Sequence, residues 1–216
     1  MAAFFDMDRT VVLANTGRLY ARDLRRRGEI GLAASLRVGV VLLRYKLSLV
    51  DMNRVMNEAA LSVKGWPEAD MVSRCAEIFD RDVRPAISSA AVEAIESHRR
   101  SGHRIALLTA STQYMTRQLS ECLGISDYLC TRLEVSEGHF TGACQQPLCF
   151  GEGKVTWAKR YADQHGIDLA ASYFYTDSYS DLPMLEAVGH RRVVNPDPRL
   201  RLHAYRAKWP VLLFRR

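Results

Sequence analysis

The chain has 216 residues, 48% of them hydrophobic and 25% charged, which suits a globular protein with one buried core and some length left for an insertion. Its five cysteines (Cys75, Cys122, Cys130, Cys144 and Cys149) are odd in number and lack a C-x-x-C pair, so reduced thiols of a cytoplasmic protein are expected rather than a disulfide framework or zinc site. The net charge of +6 is local, because residues 15–64 hold ten Lys/Arg against four Asp/Glu while the remainder is balanced. That stretch reads either as a solvated arginine-rich face or as a surface for an anionic ligand, and peripheral contact with an anionic membrane through it is one expectation.

The first element is the apolar run Ala2–Phe5, a buried strand that ends in two acids, Asp6 and Asp8. Burying an unpaired carboxylate is costly, so other residues must stabilise this pair. No basic leader precedes Asp6, which argues against a secretory signal. Helical patterns follow at Gly17–Arg27, Leu32–Leu47, Asp51–Val63 and Pro67–Val83. In the second of these, Leu32, Leu36, Val40, Leu43 and Leu47 form one stripe. Arg37, Arg44 and Lys46 interrupt Ile30–Val50, the most apolar region, which excludes a membrane span there.

Beyond Pro85 the pattern alternates. A helix near Ile87–Ser101 precedes a strand at Ile105–Leu108, and a helix from about Thr112 to Cys122 follows. "LCTRLEVSEGHFTG" reads as a hairpin turning at Glu137–Gly138. A helix from about Lys154 to His165 leads to the strand "SYFYT", then a short helix from Leu182 to Val188, the strand "RRVVN" and an edge strand "VLLF". Such alternation predicts an α/β fold: a doubly wound, mainly parallel, Rossmann-like sheet. The helical block at 15–84 becomes an inserted all-helical cap, with the core made of residues 1–14 and 85–216.

Ligands of such sheets bind beyond the carboxyl ends of the strands. Asp6 and Asp8 stand there after the first strand, and Thr109, Ala110 and Ser111 after the second. Lys154 opens a helix after "FGEG", and Asp177 and Asp181 follow "SYFYT". Four acids repel one another more than one lysine can offset, whereas Mg²⁺ binds one or two carboxylates, waters and a phosphate oxygen. Asp6 could then attack phosphorus, Asp8 could move protons, and Thr109 and Lys154 could neutralise phosphoryl oxygens.

"FFDMDRT", "ALLTAS", "GEGK" and "YTDSYSD", in this order, resemble the four motifs of the haloacid dehalogenase superfamily. The inserted cap, with "CTRLE", "GHFTG" and "VNPDPRL", resembles its phosphoserine-phosphatase-like branch. The resemblance implies a phosphatase that cleaves a small phosphomonoester through an aspartyl-phosphate. It makes Asp6 the nucleophile, Asp8 the general acid/base, Thr109 the phosphate-binding hydroxyl with Ser111 as its alternative, and Lys154 the charge stabiliser. Substrate phosphate would meet Asp6, Asp8, Thr109, Ala110 and Lys154. Mg²⁺ would be held by Asp6, Asp177 and the carbonyl of Asp8, with Asp181 acting through Lys154 or a metal-bound water. Two residues depart from that branch: Asn15 stands where Glu usually holds the substrate amino group, and Ser180 where Asn is common.

The Asn15 departure argues against phosphoserine as the preferred substrate and leaves phosphoserine, histidinol phosphate and lipid head groups as alternatives. Two non-enzyme readings fit the sequence less well. A receiver module has adjacent acids after its first strand and no cap, unlike the D-x-D here. A lipid- or polyanion-binding module would not need four intact acids, and no nucleic-acid motif is present. "GEGK" lacks the spacing of a phosphate-binding P-loop, and the six histidines need no catalytic role.

Overall fold

The computed structural model describes residues 1–31 and 52–215. The expected helix Leu32–Leu47 lies outside the described residues. In chain order, the first part comprises β1 (Ala2–Phe5), α1 (Thr16–Arg26), α2 (Met52–Ser62), α3 (Glu68–Ile78), two short helical turns to Ala86, and α4 (Ser89–Arg100). Next come β2 (Arg104–Thr112), α5 (Gln113–Leu123), β3 (Asp127–Thr131), β4 (Leu133–Ser136) and β5 (His139–Cys144). The last part holds α6 (Glu152–His165), β6 (Tyr173–Thr176), α7 (Leu182–Ala187), β7 (His190–Val194), α8 (Pro198–Ala207) and β8 (Val211–Leu212).

Six strands form one parallel sheet in the order β3-β2-β1-β6-β7-β8. β1 lies between β2 and β6, and all four of its residues are buried. Ala3 and Phe5 face a cluster with Ile95, Leu107, Leu119 and Tyr175, while Ala2 and Phe4 face one with Ala158, Phe174, Leu185 and Ala204. Coverage on both faces is why the first strand reads as a continuous apolar run rather than an alternation. The fold is the doubly wound, Rossmann-like α/β class.

Several elements differ in extent from the sequence reading. β2 continues past Leu108 to Thr112, and α5 starts at Gln113. Of the expected hairpin, Leu129, Cys130 and Thr131 belong instead to β3 of the main sheet, and β4 and β5 alone pair antiparallel among the described strands, turning through Glu137 and Gly138 at positive φ. The Pro67–Val83 helix ends as an α-helix at Ile78 and widens into a π turn. A helix at Pro198–Ala207, α8, stands where none was expected: Asp197 caps it by accepting from Leu200 N, and Pro198 occupies its first turn.

The hairpin joins the inserted helices rather than the main sheet. Gly65 N donates to Phe140 O at 2.8 Å and Phe140 N to Trp66 O at 3.0 Å. Two arginines at the end of α1 are matched by nearby acids: Arg27 reaches Asp23 at 2.7 Å and also Glu77, and Arg26 reaches Asp82 at 3.5 Å. Among the described residues no helix is long and apolar enough to cross a membrane. None of the five cysteines forms a disulfide, and burial pushes the thiols of Cys75 and Cys130 up to about 12 and about 11.

Candidate active site

The site begins where β1 stops. Asp6 N donates to Tyr175 O at 2.9 Å, so its backbone still follows the sheet while its carboxylate stands at the carboxyl edge. The chain then turns sharply. Arg9 takes φ +58, unusual for a residue with a side chain, and Val12 N returns to Met7 O at 2.9 Å. This turn aims Asp8 at the start of α1.

Asp8 accepts three hydrogen bonds there: from Thr16 N at 3.0 Å, Asn15 Nδ2 at 3.0 Å and Thr16 Oγ1 at 3.1 Å. Asn15 also caps α1, its Oδ1 accepting from Arg18 N at 3.0 Å. One amide therefore serves the helix end with its oxygen and the acid with its nitrogen. A carboxylate in its place would bring two like charges together.

Lys154 enters from the first turn of α6 and is 2% exposed. Its Nζ donates to Asp6 Oδ1 at 2.7 Å and to Asp181 Oδ2 at 2.8 Å. Thr176 Oγ1 donates to the same Asp181 oxygen at 2.6 Å. Two glycines of "FGEGK" set this approach. Gly151 has φ +52, and a Cβ on Gly153 would lie 1.8 Å from Leu148 O.

Thr109 is buried, and its Oγ1 accepts from Ser111 N at 3.2 Å. Its own hydroxyl proton has no acceptor among the described residues. The Ser111 hydroxyl is instead bonded to Thr16 Oγ1 at 2.9 Å. The β2–β3 register breaks between Thr109 and Thr112, which leaves Ala110 and Ser111 without partners in that ladder. Asp177 is buried beside β6, its carbonyl accepting from Asp197 N at 2.8 Å. Asp197 Oδ2 in turn accepts from Tyr179 N at 2.7 Å, fixing the loop that carries Asp177.

The electrostatics follow from this crowding. Burial, only partly opposed by Lys154, pushes Asp6 up to about 7, with Asp181 adding to the rise. Burial likewise pushes Asp8 up to about 6 against its Thr16 hydrogen bonds. Burial, then the neighbouring Asp6, holds Asp177 well above the usual carboxylate range. Burial alone would lower the Lys154 pKa, but Asp181 and Asp6 more than reverse this and keep the ammonium charged.

The site is short of positive charge. No donor reaches the Asp177 carboxylate among the described residues, and the buried Asp181 Oδ1 has no hydrogen-bond partner. Among the described residues no three His, Cys, Asp or Glu side chains group as a metal cage. The donors at this edge are oxygens, the type that suits Mg²⁺, which takes few protein ligands and keeps several waters.

The structure thus gathers Asp6, Asp8, Thr109, Ala110, Lys154, Asp177 and Asp181 at one sheet edge. Sequence reasoning passed over Thr16, Thr176 and Asp197, which orient Asp8, Asp181 and the Asp177 loop. Their partners lie across the fold, and the only local signal is a Thr or Asp at a helix or strand end.

The family model of haloacid dehalogenase-like hydrolases matches residues 3–186. The probable phosphatase Rv3661 of Mycobacterium tuberculosis is 33% identical over 218 residues, covering 100% of this chain and 76% of the relative. The phosphoserine phosphatase SerB1 of the same organism is 30% identical over 220 residues, covering 99% of this chain and 71% of the relative. A crystal structure of a Bordetella pertussis protein of unknown function superposes with a TM-score of 0.87 at 28% identity, covering 98% of this chain and 97% of that one. The chain belongs to the haloacid dehalogenase-like hydrolases, in their phosphoserine-phosphatase-like branch, and is a phosphoric monoester hydrolase.

Proposed function

We propose that the chain hydrolyses a small phosphomonoester with Mg²⁺, through a phosphoryl group carried on Asp6. The observation that carries this reading is the division of labour between the two N-terminal acids. Lys154 holds Asp6 by Oδ1, while Oδ2 accepts no hydrogen bond among the described residues and is left to attack phosphorus. Asp8 accepts no hydrogen bond from Lys154 and is held by Thr16 and Asn15, with burial pushing its pKa up to about 6, which suits giving and taking a proton.

In the first step an Asp6 Oδ2–phosphorus bond forms and the bond to the leaving oxygen breaks, with Asp8 protonating that oxygen. In the second, Asp8 takes a proton from water as the water attacks phosphorus and releases Asp6. Thr109 Oγ1, the Ala110 N–H and Lys154 bind the phosphoryl oxygens. Asp6, Asp177 and the Asp8 carbonyl would hold Mg²⁺, which offsets the charge of the acids and of the phosphoryl group. Asp181 acts through Lys154, its direct partner. Residues 15–84 act as a cap that closes on the leaving group, with residues 1–14 and 85–216 as the core.

Free phosphoserine is a poor substrate on this reading, because the Asn15 amide nitrogen is committed to Asp8 and brings no charge for an ammonium group. Hydrolysis of an aryl phosphate with Mg²⁺, its loss in excess EDTA and its return with added Mg²⁺ test the chemistry. Full turnover in EDTA would refute it. A panel of phosphoserine, histidinol phosphate, sugar phosphates, nucleotides and lipid phosphomonoesters, compared by kcat/KM, tests the substrate. A clear preference for phosphoserine would refute the Asn15 argument.

A further inference from the structure

A second basic surface lies at the other end of the chain. From Pro198 to Arg215 the sequence carries Arg199, Arg201, Arg206, Lys208 and Arg215 and no acid. Among the described residues Arg201, Arg206 and Lys208 form no ion pair.

α8 buries Leu200 and Ala204 against the sheet. At 100° per residue its opposite side carries Pro198, Leu202 and Tyr205, and Leu202 and Tyr205 are 50% and 82% exposed. Arg201 flanks this stripe on one side and Arg206 on the other. β8 extends the surface: Val211 pairs with Val193, whose side chain lies on the α8 side of the sheet. By strand alternation Val211 and Leu213 point to that same side, and they are 44% and 59% exposed. Exposed apolar side chains rimmed by cations match a bilayer interface, where the apolar groups enter the acyl boundary and the arginines meet anionic head groups.

We propose that α8 and the β8 edge dock this protein on an anionic phospholipid membrane. A second copy does not fit this face, since like charges would oppose each other. The face borders a groove of about 900 Å³ that runs past Arg9, Arg201 and Tyr205 to Asp177. Docking therefore turns the mouth of the site toward the head-group layer. The inference rests on this surface alone and is independent of the hydrolytic mechanism.

The test is sedimentation of the full chain with vesicles of phosphatidylcholine alone or with phosphatidylglycerol, at low and high salt. Binding is expected only with phosphatidylglycerol and should weaken in salt. Arg201→Glu with Arg206→Glu should lower it at least about tenfold, given the usual worth of each surface cation at a charged bilayer. Leu202→Ser with Tyr205→Ser, which leaves the charge unchanged, should lower it several-fold. Circular dichroism and the thermal midpoint check that these exposed substitutions leave the fold intact. The proposal is overturned if wild type does not sediment, if phosphatidylcholine alone suffices, or if Leu202→Ser/Tyr205→Ser binds like wild type, which would mark a general polyanion site. Loss of binding in Arg18→Glu/Arg22→Glu but not in the α8 variants would also overturn it, by assigning the contact to α1.

Discussion

Replacing Lys154 with Met removes the cation that joins Asp6 to Asp181. Both contacts are short, at 2.7 and 2.8 Å, and all three side chains are buried, so the change strands two carboxylates away from water. Breaking a buried pair in this way typically costs about 3–5 kcal/mol. That is a large part of the roughly 5–15 kcal/mol that holds a domain folded. Urea unfolding in EDTA at pH 7.5 should therefore show a clearly lower midpoint. Because Asp181→Asn removes one of the stranded charges, Lys154→Met/Asp181→Asn should cost at least about 1 kcal/mol less than the two single changes added together. The cost of Lys154→Met should also shrink at pH 5, where Asp6 in the folded chain is protonated and needs no counterion. A cost below about 1 kcal/mol, or strict additivity in the double variant, would show that Lys154 does not balance these acids.

Three further outcomes are expected. Raised pKa values mean that the folded, metal-free chain keeps protons on Asp6 and Asp8 that the unfolded chain releases above 3.8; stability in EDTA should therefore fall as pH rises from about 4 to about 7, and Mg²⁺ should raise Tm more at pH 7.5 than at pH 5.5. A flat profile, or equal Mg²⁺ shifts, would contradict this. Asp8→Asn should slow turnover by about 10²–10⁴, whereas Thr16→Val should slow it by less and move the acidic limb of the kcat–pH profile upward, since Asp8 loses a hydrogen bond that favours its ionised form; an unmoved limb would count against Asp8 as the base. Gly153→Ala should lower stability by about 1–3 kcal/mol or more, because its Cβ meets Leu148 O, and should depress kcat by displacing Lys154; wild-type values for both would refute the close-packing argument.

Much of this fold was legible because parallel strands buried on both faces write themselves as apolar runs. "AAFF", "ALL" and "YFY" stand out for that reason, and the polar residues after them mark the ligand edge without any knowledge of contacts. Asp6, Asp8, Asp177 and Asp181 follow two of those runs, and the structure places Lys154, from the start of α6, against Asp6 and Asp181. α8 was not, because its N-terminal Pro-Asp-Pro reads as a turn and it buries little beyond Leu200 and Ala204, too short a stripe to show a period. The continuation of β2 to Thr112 was hidden by its polar "TAST" end, which lies at the site rather than in the core. The hold of Thr16 on Asp8 and of Thr176 on Asp181 depends on how the turns fold back, and sequence spacing does not carry it. Charge counting places the basic excess at 15–64, but two of the acids that pair with Arg26 and Arg27, Asp82 and Glu77, lie beyond that window.

Whether Asp6 carries the phosphoryl group is measured directly by acid quenching during turnover of an aryl phosphate, followed by peptide mass spectrometry. An acyl-phosphate is expected on the peptide containing Asp6, accumulating when Asp8→Asn slows its hydrolysis, with neither label nor turnover in Asp6→Asn. Turnover retained in Asp6→Asn, with deamidation back to Asp excluded by the same mass spectra, or a phosphoryl group on any other residue, would contradict it.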